Sequence, residues 1–80
     1  MSEKVWCKAR KKPVVVEFRE VEPKEKVDLA GAMGELVKTR EGLLSAFAGR
    51  DFIIRGVEGE LYPIDKKIFE KTYEVVEEVG

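Results

Sequence analysis

Eighty residues are enough for one domain with one modest core, because domains run roughly 50–250 residues and a chain this short buries only about 60–65% of its unfolded surface. Charged residues are 39% of the chain, with 15 basic against 16 acidic and a net charge of −1, which excludes the strongly basic balance of a dedicated nucleic-acid-binding domain. An apolar fraction of 44% excludes disorder of the whole chain, and no apolar run approaches the roughly 20 residues of a membrane-spanning helix.

The first twelve residues form a basic arm: Lys4, Lys8, Arg10, Lys11 and Lys12 stand against Glu3 alone. The other 68 residues carry 10 basic and 15 acidic groups, so the two parts have opposite charge. Residues 13–80 are expected to form the single domain. After Pro13, the run Val14–Val21 predicts a strand, with Val14, Val16 and Phe18 on one side and Val15, Glu17 and Arg19 on the other. Three consecutive valines favour a strand because β-branching restricts χ1 in a helix. Glu22–Gly34 admits three readings: a helix opened by Pro23 and running through Ala32, a strand, or a loop. Gly31 and Gly34 weaken the helix by about 1 kcal/mol each. Glu35–Arg40 and Leu43–Phe47 predict a hairpin about Glu41-Gly42, with glycine second as in a type I′ turn. Asp51–Val57 and Glu60–Ile64 predict another about Glu58-Gly59, ending at or just after Pro63.

Asp65 is then placed to cap a short helix reaching about Thr72, its carboxylate accepting from first-turn amides. Ile64 and Phe69 have the spacing of a hydrophobic staple, and Phe69 and Tyr73 lie one turn apart. Tyr73–Val76 is expected to close the domain as an edge strand, and Glu77–Gly80 to fray. The pattern predicts an α+β fold: a small curled antiparallel sheet or open barrel with one short C-terminal helix.

The chain has no Asn, Gln or His. A charge-rich sequence without thermolabile amides resembles proteins of high-temperature organisms. Cys7 is the only cysteine, which excludes an internal disulfide and fits a reducing cytoplasm. The N-terminal stretch lacks the apolar core of a signal peptide, so the expected location is cytoplasmic.

Few residues suggest chemistry. Gly56 and Gly59 do not make a phosphate loop, since no G-x-G-x-x-G is present and no helix follows directly. Glu17, Glu58, Glu60 and Asp65 are carboxylates, but acid–base work needs a pair held in different environments. Without histidine the usual proton shuttle and nitrogen metal ligand are missing, and Cys7 has neither His nor a second Cys to work with. No catalytic residue, metal site or cofactor is therefore expected. Two groups remain as candidate contacts. Trp6 with Lys8, Arg10, Lys11 and Lys12 combines a stacking ring with phosphate-neutralising charge. Arg50, Arg55 and Tyr62 are candidates for an anion or small ligand, although Arg50 and Arg55 bracket a strand. Tyr62, Phe69 and Tyr73 could line a pocket, but aromatic residues at such spacings usually form core.

The stretch Asp51-Phe52-Ile53-Ile54-Arg55-Gly56-Val57-Glu58-Gly59-Glu60-Leu61-Tyr62-Pro63 resembles a group of short phage- and prophage-encoded proteins of unknown function. Their shared segment reads roughly P-G-D-[YW]-I-[IV]-[KR]-G-V-x-G-E-x-Y-P. Ile68–Glu74 resembles their I-F-x-x-T-Y-E, and Arg10–Glu17 is similar to a stretch near their start. Gly49 and Arg50 stand where the group has Pro-Gly, and Val21–Gly34 departs from its longer, more helical insert. The resemblance implies no activity. Together these features point to a non-enzymatic accessory or protein-interaction module, with self-association of the basic arm and an acidic surface as one form. A nucleic-acid accessory using the arm and a small-molecule-binding domain are the alternatives.

Overall fold

The computed structural model describes residues 5–10 and 14–76. Its strands are β1 (Glu17–Glu20), β2 (Glu25–Lys26), β3 (Met33–Thr39), β4 (Gly42–Phe47), β5 (Asp51–Arg55) and β6 (Leu61–Asp65), followed by helix α1 (Lys66–Thr72). They form two three-stranded antiparallel sheets, ordered β1-β5-β6 and β2-β3-β4. The α+β class holds, with mostly antiparallel sheet and one short C-terminal helix; the strands divide between two sheets that are not closed into a barrel.

Strand alternation explains how the layers meet. Arg19 and Ile53 are cross-strand partners on one face of the first sheet. On the second sheet, Glu35 faces Ala46 and Val37 faces Leu44 across the β3–β4 ladder. Ile53, Val37 and Ala46 are buried together with Val21 as the core between the sheets. Phe18, Phe52 and Ile54 alternate onto the other face of the first sheet. There α1 inserts Phe69, whose ring centroid lies 4.6 Å from Phe18 and 4.9 Å from Phe52. The order of layers is thus helix, first sheet, second sheet.

The helix begins as expected: Asp65 is its N-cap and Oδ1 accepts from the Lys67 amide at 2.8 Å. Phe69 and Tyr73 stack with centroids 5.2 Å apart. Pro63 sits inside β6 opposite Ile53 rather than ending it, which a strand on the rim of a sheet tolerates because one side needs no donor.

Several boundaries differ. The strand expected over Val14–Val21 is confined to Glu17–Glu20, because its partner β5 ends at Arg55, opposite Glu17. No helix forms after Pro23: the Lys24 amide donates instead to the Gly34 carbonyl at 3.1 Å, and the chain makes the short strand β2 and a turn. That turn is closed by Asp28, which accepts from the Ala32 amide, and by Gly31 at φ 87°. The β3–β4 loop is Arg40-Glu41, one residue earlier than expected, with Thr39 paired to Gly42. A type I′ turn is excluded because it needs positive φ at both loop residues, whereas Gly42 carries the positive angle at 120° and no non-glycine does among the described residues. The strand expected over Asp51–Val57 stops at Arg55, and its partner runs Leu61–Asp65. The edge strand expected over Tyr73–Val76 is not formed: these residues belong to neither sheet.

Candidate functional site

Among the described residues two carboxylates are buried, Glu35 and Asp51; Asp51 accepts from the Phe47 amide at 2.8 Å, and Glu35 lies between the sheets. Glu35, on β3, is only 7% exposed. Its Oε2 accepts from Arg19 Nη1 at 2.6 Å and from the Glu22 amide at 2.8 Å, and its Oε1 accepts from Arg19 Nη2 at 2.9 Å. Lys24 Nζ lies 3.7 Å away. The Arg19 hydrogen bonds hold the carboxyl down to about 2; burial opposes them, while the Glu22 amide and the charges of Arg19 and Lys24 add to them. The Arg19 pKa is correspondingly raised. A carboxylate that accepts three hydrogen bonds and loses its proton far below neutrality is suited to hold β1 against β3. It is unsuited to proton transfer, which needs a pKa near the working pH. Sequence reading missed this group, because alternation alone does not tell an inward glutamate from an outward one.

The Arg50, Arg55 and Tyr62 candidates do not converge. Arg50 and Arg55 are separated by about 16 Å of extended strand at roughly 3.3 Å per residue. Arg50 lies over the Phe47 ring, 4.0 Å from its centroid, with Nε 3.5 Å from Asp51. Arg55 Nε and Nη2 meet Glu17 Oε1 at 2.8 and 2.7 Å. Tyr62 alternates to the helix side of its sheet, where its hydroxyl oxygen is 3.2 Å from that of Tyr73. Burial first, then the Tyr73 hydroxyl, pushes the Tyr62 phenol up to about 12, so it is neutral at ordinary pH.

The carboxylates noted in the sequence are engaged locally. Glu17 pairs with Arg55 and Glu58 with Arg40. Glu60 accepts from the Glu58 amide, and Asp65 caps α1. Among the described residues no three His, Cys, Asp or Glu side chains are placed to hold a metal ion. A groove of about 200 Å³ runs past Glu17, Arg19, Ile53, Arg55 and Leu61, smaller than the roughly 300–1,000 Å³ of small-molecule sites.

Two exposed features stand out. In the basic arm Trp6 is 97% exposed, beside exposed Lys8 and Arg10; Lys11 and Lys12 lie outside the described residues. The second feature is the outer face of the β2-β3-β4 sheet. The β3–β4 register sets Leu36, Lys38, Leu43, Ser45 and Phe47 on that face. Leu36 is 47% and Leu43 65% exposed. The Val27 carbonyl accepts from Ser45 Oγ at 3.0 Å, so the start of the β2–β3 turn reaches across it, and Arg50 lies over Phe47. Alternation within the expected hairpin placed Leu36 and Leu43 in strands, but only the register shows that they share the face turned from the core.

No protein-family model, curated protein or solved structure matches the chain. Among the described residues no helix is long and apolar enough to cross a membrane.

Proposed function

We propose that the protein is a non-enzymatic interaction module that binds another protein through the outer face of its second sheet. The observation carrying this reading is the pair of exposed leucines, Leu36 and Leu43, beside the half-buried Phe47 ring under Arg50, on a face that α1 and the first sheet leave uncovered. The wider balance supports it. Among the described residues six hydrophobic side chains are buried, whereas fifteen large ones are exposed. Scattered surface leucines are ordinary, but a contiguous apolar strip rimmed by polar groups marks a contact surface. Lys38 and Arg50 supply that rim.

Affinity capture and crosslinking with the full chain test the reading, using wild type beside a Leu36→Asp, Leu43→Asp double variant. Both positions are exposed, so the variant should keep its melting temperature. A partner held by the wild type and lost by the variant is the expected result. Equal capture by both chains removes this face as the contact surface.

The exposure of Trp6 within a basic segment favours a second reading, an accessory contact to nucleic acid by the arm. Its test is fluorescence anisotropy of labelled single- and double-stranded DNA and RNA at two salt concentrations, with a Lys8→Ser, Arg10→Ser, Lys11→Ser, Lys12→Ser variant. Binding that falls steeply with salt and vanishes in the variant supports phosphate contact; no binding at low salt ends that reading.

A further inference from the structure

We infer that two copies of this chain pair antiparallel along β4, joining their three-stranded second sheets into one. This deepens the interaction-module reading and rests on it, because the sheet that carries the proposed contact face is the one that is extended. At six residues β4 is the longest outer strand of the two sheets, and it is hydrogen-bonded to β3 on one side only. Neighbouring hydrogen bonds fix which of its backbone groups point outward. The Ala48 amide donates to the Met33 carbonyl at 3.0 Å, on the β3 side. Alternation then turns the backbone groups of Ala46 and Leu44 towards β3 and those of Phe47, Ser45 and Leu43 away from it. Phe47 is already served within the chain: its amide donates to Asp51 Oδ2 at 2.8 Å, and its carbonyl accepts from the Arg50 amide at 3.2 Å. The open stretch is therefore Leu43 and Ser45, whose N–H and C=O groups are ready to pair with another strand.

The shape of that open stretch identifies the occupant. A longer extended peptide gains nothing beyond it, because the outward positions on either side are taken: Phe47 by Asp51 and Arg50, and the Glu41 amide by Thr39 Oγ1 at 3.1 Å. A second β4 is closed at the same places and open at the same residues. With a two-fold axis perpendicular to the sheet at Leu44, Leu43 of each copy exchanges hydrogen bonds with Ser45 of the other, and no open group is left over. The side chains match as well. Leu44, 41% exposed, meets its own counterpart on the axis, and Leu43, 65% exposed, lies diagonal to its counterpart on the outer face, within reach of long side chains across a ladder. The same register sets Glu41 opposite Phe47 of the other copy, beside the Arg50 guanidinium that lies over that ring. The Glu41 carboxylate is exposed and unpaired among the described residues. Arg50 touches Asp51 through Nε alone, at 3.5 Å, which leaves its Nη groups for Glu41. The interface is isologous, as closed two-fold dimers require.

Sedimentation velocity over a wide concentration range is the test, with wild type, Ser45→Pro, Ser45→Ala and Leu36→Asp. Ser45→Pro removes an outward amide that the β3–β4 ladder does not use. Ser45→Ala loses the same Oγ bond to Val27 but keeps the amide, and Leu36→Asp changes the outer face on β3, away from the edge. The expected result is a concentration-dependent dimer in wild type, Ser45→Ala and Leu36→Asp, and a monomer in Ser45→Pro with the melting temperature of Ser45→Ala. Leu44→Cys in a Cys7→Ser background should form an intermolecular disulfide under oxidation, since Cα atoms of such a non-hydrogen-bonded pair lie about 4.5 Å apart, whereas Leu29→Cys in the same background should not. The crosslink decides the question even if Ser45→Pro fails to fold. A wild-type monomer at every concentration, a dimer that survives in folded Ser45→Pro or is lost in Leu36→Asp, or equal crosslinking of the two cysteine variants overturns the edge pairing. The outer face is judged separately: a different protein captured by wild type and by Ser45→Pro, and lost by the Leu36→Asp, Leu43→Asp variant, sustains that reading whether or not the dimer exists.

Discussion

At the scale of single residues, the consequential group is Glu35. It is the buried end of a bidentate ion pair whose other end, Arg19, is half exposed, so the pair joins the two sheets without stranding either charge. Charge-assisted hydrogen bonds of this kind contribute about 1.5–3 kcal/mol each at most, and Glu35→Ala should cost about 2 kcal/mol. The pH dependence has a definite sign. The folded pKa of about 2 lies below the ordinary 4.5, so the unfolded chain binds the proton more readily than the folded one. The contribution is therefore complete above pH 4.5 and lost as pH falls from there through about 2. Melting temperatures of wild type and Glu35→Gln measured across that range should differ most at neutral pH and converge in acid. A gap that stays constant down to the folded pKa would mean that the carboxylate charge is not what holds the sheets. None of this was legible in the sequence: Glu35 read as a polar position at the start of a strand, and Arg19 lies sixteen residues away.

At the scale of elements, legibility followed the range of the interactions. The Asp65 cap, the Phe69–Tyr73 stack and both glycine-marked hairpins depend on neighbours a few residues apart, and all were readable. The start of β1 was not, because it is set by where β5 ends, 38 residues along the chain. The segment after Pro23 was equally closed to local reading, since Gly34 fixes it from the facing strand. A Cβ at Gly34 would collide with the Ala46 carbonyl oxygen, so this glycine serves close backbone approach rather than a turn. For α1 the two kinds of interaction can be separated by measurement. Asp65→Ala removes one cap and should cost about 1 kcal/mol. Phe69→Ala empties the centre of the aromatic cluster and should cost about 3–5 kcal/mol. At about 4–8 °C per kcal/mol for a domain of this size, the cap variant should melt several degrees lower and the phenylalanine variant at least about 12 °C lower. Thermal unfolding followed by circular dichroism reads both. Equal losses would show that the helix is held by its end rather than by its face.

At the scale of the molecule, the division into helix, sheet and sheet leaves two small cores instead of one, and a chain of this length can fill neither deeply. Ion pairs supplement them. Arg19–Glu35 joins β1 to β3, and Arg40–Glu58, at 3.3 Å, joins the tips of the β3–β4 and β5–β6 hairpins. Both link one sheet to the other. At room temperature an exposed pair such as Arg40–Glu58 adds little. Heating changes the balance, because the cost of desolvating charged groups falls with temperature while hydrophobic stabilisation per unit area levels off. Cross-sheet pairs in a charge-rich chain without Asn or Gln are therefore most useful when the protein is hot. The composition and the placement of these pairs lead to the same expectation: unfolding that is complete only above about 60 °C, towards or beyond the upper end of the usual mesophilic range. A calorimetric scan decides it. Arg40→Ala should lower the midpoint by more than its small room-temperature cost suggests if the pairs act in this way. A wild-type transition finished below about 60 °C would remove the high-temperature interpretation and leave the exposed Arg40–Glu58 pair as a solvated surface contact.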